Sequence, residues 1–249
     1  MLIFSTAGYD TDLSFLPDMY ELRLDLRDNC FEIPSFFHTK KTIVTLRDEL
    51  EGGNYTGCVA DKIDFFIDLM KKTDFYIDIE YANLSLIYPY INTAQRKRLI
   101  ISIHNYSSDI DQILKKIANI DVISDCFFYK FVFEIDSFFD FFMIHKELLK
   151  KKIQFTFIST GSTSFFSRVL YKNLSCISTY FAMKGGETAQ NQLTDDDVLL
   201  YNLQHLTKHT AVGGIIGGSQ ILKSLGMLFY NNYFQYNKIN AVYLPFKID

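Results

Sequence analysis

Short apolar runs recur along the chain and alternate with segments whose apolar residues recur at helical spacing. The runs are rich in β-branched and aromatic residues, as expected of strands buried on both faces. They predict strands at 2–6, 19–26, 41–47, 74–80, 98–104, 127–133, 153–159 and 175–181. Amphipathic spacing predicts helices at 59–72, 109–119, 137–151, 163–172 and 194–208, with a shorter one at 89–97.

Eight strands alternating with helices over roughly 200 residues indicate an α/β protein built as a closed parallel (β/α)8 TIM barrel. An open doubly wound sheet is the alternative, but it normally has a glycine-rich turn after the first strand. Here that turn has a single glycine, Gly8. At the other end of the barrel segment, Thr194 followed by Asp195–Asp197 predicts a capped helix start.

Near residue 210 the composition changes, so we divide the chain into a barrel at 1–208 and an appendage at 209–249. Val212–Gly218 contains four glycines in seven residues, and Ala241–Phe246 is another apolar strand. This short βαβ-like segment is too small to bury its own apolar faces. We therefore expect it to pack on the barrel or on a partner.

Composition and charge exclude several classes of protein. Hydrophobic residues make up 48% and charged residues 22% of the 249 residues, which is typical of a globular protein. A net charge of −4 predicts no nucleic-acid partner. No uncharged apolar run approaches the ~20 residues that cross a membrane. The four cysteines form no C-x-x-C pair, so no metal site is predicted. Because the N-terminus lacks signal-peptide features, the predicted location is cytoplasmic.

In a TIM barrel the catalytic groups come from the carboxyl ends of the strands. Those ends and the loops after them supply Glu21, Arg23, Asp25, Arg47, Glu51, Asp78, Glu80, His104, Lys130, Arg168, Thr188 and Gln192. Lys130 stands inside an apolar strand, where an ammonium group is costly unless it is paired or its pKa is lowered. An amine there and an imidazole at the end of the preceding strand are two parts of an imine-forming site.

Taken singly, these residues have ordinary explanations. A lone lysine in an apolar run is usually at a sheet edge, and a lone strand-end histidine is more often a hydrogen-bonded polar residue than a base. Glu51 with its two following glycines could be only a turn, and Arg168 a surface charge. For Asp78 we favour a structural role, balancing arginines in the barrel mouth.

The order of the motifs adds a more specific signal. They are Glu21–Asp25, Thr45–Gly53, Ile77–Glu80, Ile101–Tyr106, Lys130 in its strand, Ser167–Arg168 and Glu187–Thr194. In this order, over about residues 2–208, the chain resembles the type I 3-dehydroquinate dehydratases of the shikimate pathway. The resemblance implies a hydro-lyase that converts 3-dehydroquinate to 3-dehydroshikimate and water in the biosynthesis of aromatic amino acids.

The resemblance also implies roles for individual residues. Lys130 forms a Schiff base with the substrate ketone, His104 removes the neighbouring proton and returns it to the leaving hydroxyl, and Glu51 orients His104. Arg168 binds the substrate carboxylate, while the other substrate-binding residues are Glu21, Arg23, Arg47, Thr188 and Gln192. Asp25 and Glu80 are expected to hold the arginines. No metal or cofactor is implied.

The appendage resembles the start of a shikimate dehydrogenase, which in some proteins follows the dehydratase. The segments concerned are Gly214–Gly217, Asn231–Phe234 and Asn240–Phe246. The family's Ser-x-Ser-Pro-x-x-His pattern is absent: Ser224 is present, but Gly226 and Met227 follow it. We therefore interpret 209–249 as a truncated dehydrogenase start and expect no dehydrogenase activity.

The chain departs from the dehydratase family in two loops, and two alternative functions stay open. Ser164, in the loop after the seventh strand, and Gln190-Asn191, after the eighth, replace the residues usual in the dehydratase family, so both loops could close differently. The rivals are another Schiff-base barrel of the class I aldolase type and a noncatalytic barrel acting as a binding or scaffold protein. The predicted partner is a small molecule, 3-dehydroquinate, and the apolar appendage permits but does not require a homodimer.

Overall fold

The computed structural model describes residues 1–8, 13–105 and 109–248; Tyr106, in one of the motifs above, and Asp249 lie outside the described residues. Within these described ranges, nine parallel strands form one curled sheet: β1 Leu2–Thr6, β2 Met19–Arg23, β3 Thr42–Thr45, β4 Tyr76–Glu80, β5 Leu99–Asn105, β6 Phe128–Phe133, β7 Phe155–Ser159, β8 Thr179–Ala182 and β9 Leu193–Thr194. They are ordered β7-β6-β5-β4-β3-β2-β1-β8-β9 across the sheet. The predicted TIM-barrel architecture is confirmed.

The helices pack their apolar stripes on the outer faces of the strands. Their bounds are α1 Val59–Lys72, α2 Leu84–Ile87, α3 Thr93–Arg96, α4 Ile110–Ala118, α5 Phe138–Lys150, α6 Ser164–Val169 and α7 Asp195–Leu200. Thr194 caps α7 as predicted, because its hydroxyl accepts from the Asp197 N–H while the Asp197 side chain accepts from the Thr194 N–H. Within the described ranges no helix is both long and apolar enough to span a bilayer.

Several predicted elements are shorter in the structure, and two of them are limited by a left-handed residue. The eighth strand begins at Thr179 rather than 175, since Ser175 has φ 59° in the turn that leads into it. The predicted helix 194–208 ends at Leu200, because Asn202 has φ 51° and a right-handed helix cannot continue through it.

The barrel closes at a seam between β7 and β8, which form no regular ladder. The Ile177 N–H donates to the Phe155 carbonyl at 3.0 Å, and the hydroxyls of Thr156 and Ser178 are hydrogen-bonded. These bonds join the two strands only near their starts. At the carboxyl ends, Asn191 in the loop after β8 joins the two sides, because its side-chain amide donates to the carbonyl of Thr160, the residue after β7, at 2.8 Å.

The barrel interior changes character along the strands. Near the amino ends it is filled by one apolar cluster that includes Ile3, Met19, Ile43, Ile100 and Phe128. Because alternate residues of a strand face the same way, the residue two positions further on also points inward. Those next residues are Ser5, Glu21, Thr45, Ser102 and Lys130. The interior thus becomes polar from its middle upward.

A small extra sheet follows the barrel, as predicted. Strands β10 Ala211–Gly217 and β11 Ala241–Lys247 pair in parallel, with helix α8 Gly226–Tyr236 between them. Phe246 packs against Phe138 of α5 and Phe166 of α6, with ring centroids 6.0 and 5.8 Å apart. The side-chain amide of Gln235 also donates to carbonyls at the end of α7. These contacts attach the appendage to the outside of the barrel.

Candidate active site

A cavity of about 250 Å³ lies within the carboxyl end of the barrel. It is lined by all nine residues to which the sequence analysis assigned catalytic or binding roles, Glu21, Arg23, Arg47, Glu51, His104, Lys130, Arg168, Thr188 and Gln192. Its other lining residues are Thr45, Gly52, Val132, Ile158, Thr160, Tyr180, Ala189 and Gln190. The parallel strands bring these groups together because all their carboxyl ends meet at one rim.

Lys130 is held inside the barrel by two carboxylates. In the β5–β6 ladder it pairs with Ser102, and its Nζ lies 3.2 Å from Oε1 of Glu21 and 3.0 Å from Oδ2 of Asp78. The ring of Tyr180 completes the surroundings, with its centroid 4.3 Å from Nζ. These partners explain how a lysine is tolerated within an otherwise apolar strand.

Asp78 connects Lys130 to a second cation. Its Oδ1 accepts from Nη2 of Arg47 at 2.7 Å, and Nη1 of Arg47 also lies 3.0 Å from Glu80. Burial opposes the charged form of Asp78, but Arg47 and Lys130 hold its pKa well below its ordinary value. Burial opposes the charge of Arg47 too, but Asp78 and Glu80 raise its pKa above its ordinary value. Both groups are therefore charged at neutral pH.

His104 is a buried imidazole oriented by Glu51. Its Nδ1 lies 2.9 Å from Oε2 of Glu51, and the same oxygen accepts from the His104 backbone N–H at 3.2 Å. Burial lowers the pKa of His104 well below 6.5, and the positive charges of Arg47 and Lys130 add to the effect. The imidazole is thus neutral at pH 7. With Nδ1–H donating to Glu51, Nε2 is the basic nitrogen.

The two glycines after Glu51 shape the turn that places its carboxyl group beside His104. Glu51 ends a short 3-10 turn, and Gly52 leaves it with φ 77°, a conformation that favours glycine. A Cβ on Gly53 would come 2.1 Å from the backbone oxygen of Arg47. The sequence Glu-Gly-Gly is therefore a turn, but one in which Gly53 lies too close to the backbone of Arg47 to carry a side chain.

Arg168 differs from the other buried arginines of the site. Its Nε donates to the Ser164 hydroxyl at 3.3 Å, and no carboxylate within the described part of the chain lies at ion-pair distance from it. Burial lowers its pKa to about 10, although Glu21 acts in the opposite direction. A buried guanidinium without a counterion is costly unless an anion binds there, and its fork matches a carboxylate.

Glu21 is fixed by hydroxyl groups from both neighbouring strands. It accepts from Ser5 and, at 3.0 Å, from Thr45, while Ser5 also contacts the Thr188 hydroxyl at 2.6 Å. Burial would raise the pKa of Glu21, but Lys130 and Arg23 bring it below its ordinary value. Glu21 is therefore an oriented anion beside the amine.

Arg23 ties the loop after β8 to the barrel. Its Nε and Nη2 donate to Asp25 at 2.9 and 2.8 Å, and its Nη1 donates to the Thr188 carbonyl at 2.8 Å. Gln192 closes the same loop, because its Oε1 accepts from the Thr188 backbone N–H at 2.8 Å. Asp25 and Glu80 thus lie beside Arg23 and Arg47, where the sequence analysis expected them.

Lys62 was not singled out from the sequence. This lysine of α1 is fully buried and lies 2.6 Å from Oε2 of Glu80 and 2.7 Å from Oδ1 of Asp48. The available signal was its spacing, since Lys62 shares the apolar face of α1 with Phe66 and Met70 at intervals of four residues. A lysine on that buried face requires an anionic partner. One partner here is Glu80, whose carboxylate also pairs with Arg47.

Tyr180 was also missed. It faces inward because it alternates with the outward Phe181 of β8, yet an aromatic residue in an apolar strand gives no sign of contact with a lysine.

Among the described residues, no group of three or more histidine, cysteine, aspartate or glutamate side chains is arranged to hold a metal ion. What the cavity combines is an amine, a neutral base and an unpaired guanidinium.

Comparison with known proteins identifies one family. The family model described as Type I 3-dehydroquinase matches residues 11–206. A 3-dehydroquinate dehydratase of Methanococcus maripaludis is 27% identical over 182 residues, which are 71% of this chain and 83% of that protein. The chain is also 26% identical over 251 residues to the bifunctional 3-dehydroquinate dehydratase/shikimate dehydrogenase of Arabidopsis thaliana, with 93% of this chain and 40% of that protein covered.

Among solved structures, the chain resembles the type I 3-dehydroquinate dehydratase of Clostridium difficile. The TM-score is 0.65 at 15% identity, and the match covers 82% of this chain and 93% of that one. At this level of identity the likeness supports the barrel fold, while the family match over residues 11–206 supports membership.

Proposed function

The chain belongs to the type I 3-dehydroquinase family, and on that premise we propose that it converts 3-dehydroquinate to 3-dehydroshikimate and water through a Schiff base on Lys130. One observation carries the proposal: the amine of Lys130, the neutral imidazole of His104 and the guanidinium of Arg168 line one cavity. Removal of water from a hydroxylated keto acid through an imine requires an amine, a base and a site for the carboxylate.

In the first stage, Nζ of Lys130 loses a proton and attacks the ketone carbon. The carbinolamine hydroxyl then takes up that proton and leaves as water, which produces a protonated imine. Glu21 and Asp78, which lie within 3.2 Å of Nζ, stabilise its positive charge before and after the step. The protonated imine withdraws electrons from the adjacent carbon and so acidifies its C–H bond.

In the second stage, His104 removes a proton from that adjacent carbon. The resulting enamine expels the hydroxyl group on the next carbon, and His104 returns its proton so that the hydroxyl leaves as water. One water molecule then hydrolyses the imine, which releases the product and restores Lys130. The lowered pKa of His104 suits this role, because the imidazole enters the reaction unprotonated.

The remaining residues hold the substrate in place. Arg168 binds the carboxylate, since it is the buried guanidinium of the site without an ion pair among the described residues. Glu51 orients His104. The other substrate-binding residues, which contact hydroxyls or complete the pocket, are Glu21, Arg23, Arg47, Thr188 and Gln192.

The test combines turnover with chemical trapping. Purified protein mixed with 3-dehydroquinate should generate the ultraviolet absorbance of the conjugated product, and Lys130→Met should not. Borohydride added during turnover should leave one covalent adduct, which peptide mass spectrometry should locate at Lys130. Wild-type protein that gives neither product nor adduct would support the scaffold alternative. An adduct that forms only with aldol substrates would support an aldolase.

We also propose that residues 209–249 form a unit separate from the 1–208 barrel and resemble the start of a shikimate dehydrogenase. The alignment to the bifunctional Arabidopsis protein supports this, because it covers 93% of the chain and therefore extends into the appendage. Since the Ser-x-Ser-Pro-x-x-His pattern is missing, shikimate and NADP⁺ should give no NADPH absorbance with this protein.

The appendage also permits a homodimer, because its Leu225 and Phe229 are exposed. Sedimentation velocity tests whether the dimer forms.

A further inference from the structure

Two hydroxyl groups on one side of the cavity have no use in the mechanism above. They belong to Tyr180 of β8 and to Thr160, the residue directly after β7, and both residues line the cavity. Tyr180 is 3% exposed and Thr160 is 6% exposed. Within the described residues, neither Oη of Tyr180 nor Oγ1 of Thr160 has a hydrogen-bond partner.

Such groups are uncommon in folded proteins and need an explanation. Burying a hydroxyl without a partner costs free energy, because its hydrogen bonds to water are lost and none replaces them. Most buried polar side-chain atoms are therefore paired. Two unpaired hydroxyls on the wall of one cavity are explained if a bound molecule supplies their partners.

The surroundings hold both groups in place. The Tyr180 ring packs in the apolar cluster with Ile3 and Met19, and its centroid lies 4.3 Å from Nζ of Lys130. Thr160 donates its backbone N–H to Phe133 at 2.9 Å and accepts at its carbonyl from Asn191 at 2.8 Å. Thr160 thus has its backbone groups satisfied and only its side-chain hydroxyl left over.

The hydroxyl of Tyr180 is available as a donor. Burial raises the pKa of Tyr180 well above 10, and the carboxylates of Glu21 and Asp78 raise it further, so the phenol keeps its proton. The neighbouring wall residues Val132 and Ile158 are apolar and offer no competing acceptor. A molecule joined to Lys130 would therefore meet these hydroxyls as the polar points of this wall.

We propose that the hydroxyls of Tyr180 and Thr160 form hydrogen bonds to alcohol oxygens of the substrate while it is held at Lys130. They would make the site selective for a keto acid whose ring carries several hydroxyl groups. This inference rests on the proposed function and deepens it by assigning two specificity-determining residues. An analogue that lacks the matching hydroxyl would leave a buried polar group unpaired in the complex.

The test removes each oxygen and keeps the shape of the side chain. Tyr180→Phe and Thr160→Val should each raise KM about three- to tenfold, the range expected for one hydrogen bond between neutral groups. The same change should appear in Kd when 3-dehydroquinate is titrated into these variants in a Lys130→Met background. The thermal midpoint of each free variant should be equal to that of wild type or higher, because an unsatisfied buried hydroxyl has been removed.

Tyr129→Phe is the matched control. Tyr129 lies on the outward face of β6, and its hydroxyl accepts from the Ile123 N–H at 2.8 Å. The same one-oxygen deletion should there lower the thermal midpoint and leave KM unchanged. A merely structural role for Tyr180 or Thr160 would reproduce the pattern of the control.

The outcomes separate this inference from the proposed function. Active wild type with unchanged KM in both variants, or with lowered midpoints alone, would overturn the role of the hydroxyls and leave the function standing. If wild type gives no turnover, the proposed function fails, and the Kd titrations alone decide whether the two hydroxyls bind the molecule. Weaker binding without the hydroxyls supports their role, whereas equal binding or no binding overturns it.

Discussion

The two ends of the barrel interior are built from the same strands by opposite means. At the amino end, Ile3, Ile43 and Ile100 are fully buried among other apolar side chains, and their contacts depend only on size and shape. Further along the strands the interior is polar, and buried charges such as Lys130 and Asp78 require partners at hydrogen-bonding distance. The comparison separates stability from function, because one end can be repacked while the other depends on individual atoms.

The charged residues at the carboxyl end of the barrel interior also differ in whether they have partners of opposite charge. Asp78 and Glu80 each contact two cations, so that removing one cation leaves a hole and a buried carboxylate with only part of its charge compensated. Arg168 has no such partner among the described residues. Because Arg168 is buried without a counterion in the described ranges, this part of the cavity is arranged for an anionic ligand.

The largest difference between the ends should appear in catalysis. Replacing His104 with glutamine removes the base and should lower kcat with 3-dehydroquinate by about 10²–10⁴-fold. The folded structure should persist, because the amide fits the space of the imidazole. Initial rates of product absorbance give the effect, and retention of activity within a fewfold of wild type would exclude His104 as the base.

The next largest effect should fall on stability at the charged end. Lys62→Met removes the buried cation that pairs with Glu80 and Asp48, and should cost about 3–5 kcal/mol of unfolding free energy. The control is Lys72→Met in the same helix, where the exposed pair with Asp68 should contribute below about 1 kcal/mol. Urea unfolding compares the two, and similar losses would contradict the importance of burial.

At the amino end, Ile100→Ala should lower stability without changing the chemistry. The cavity left in a fully packed layer should cost about 3 kcal/mol. The values of kcat and KM per folded molecule should equal those of wild type, because no cavity-lining residue is altered. A change of KM beyond about threefold would show that packing at the amino end and substrate binding at the carboxyl end are coupled.

The smallest effect is a pH dependence that originates at His104. In the unfolded chain this residue binds a proton near pH 6.5, whereas in the folded protein its pKa is well below that value. As the pH falls below 6.5 the unfolded state therefore takes up the proton first, and the folded state loses stability by up to about 1.4 kcal/mol per pH unit. Urea unfolding at pH 7.5 and 5.5 should show a loss of about that size in wild type beyond the loss in His104→Gln, and equal losses would contradict the lowered pKa.

The sequence alone determined the parts of the molecule that depend on local spacing. Short apolar runs predicted the strands, helical stripes predicted the main helices, and Thr194 before three aspartates predicted the cap, because each of these signals is carried by residues close together in the chain. The strand-end rule then brought His104 and Lys130 to one rim, since parallel strands share their direction. Their catalytic roles remain a proposal, for which geometry is support and turnover the test.

Only the tertiary structure decided which distant groups meet. No local pattern predicts that Lys62 contacts Glu80, or that the Tyr180 ring lies over Lys130, because the members of each pair are separated along the chain and meet only in the folded structure. The unpaired hydroxyl of Thr160 is of the same kind. Whether a polar atom has a partner depends on every element packed around it, and that is settled by folding in three dimensions.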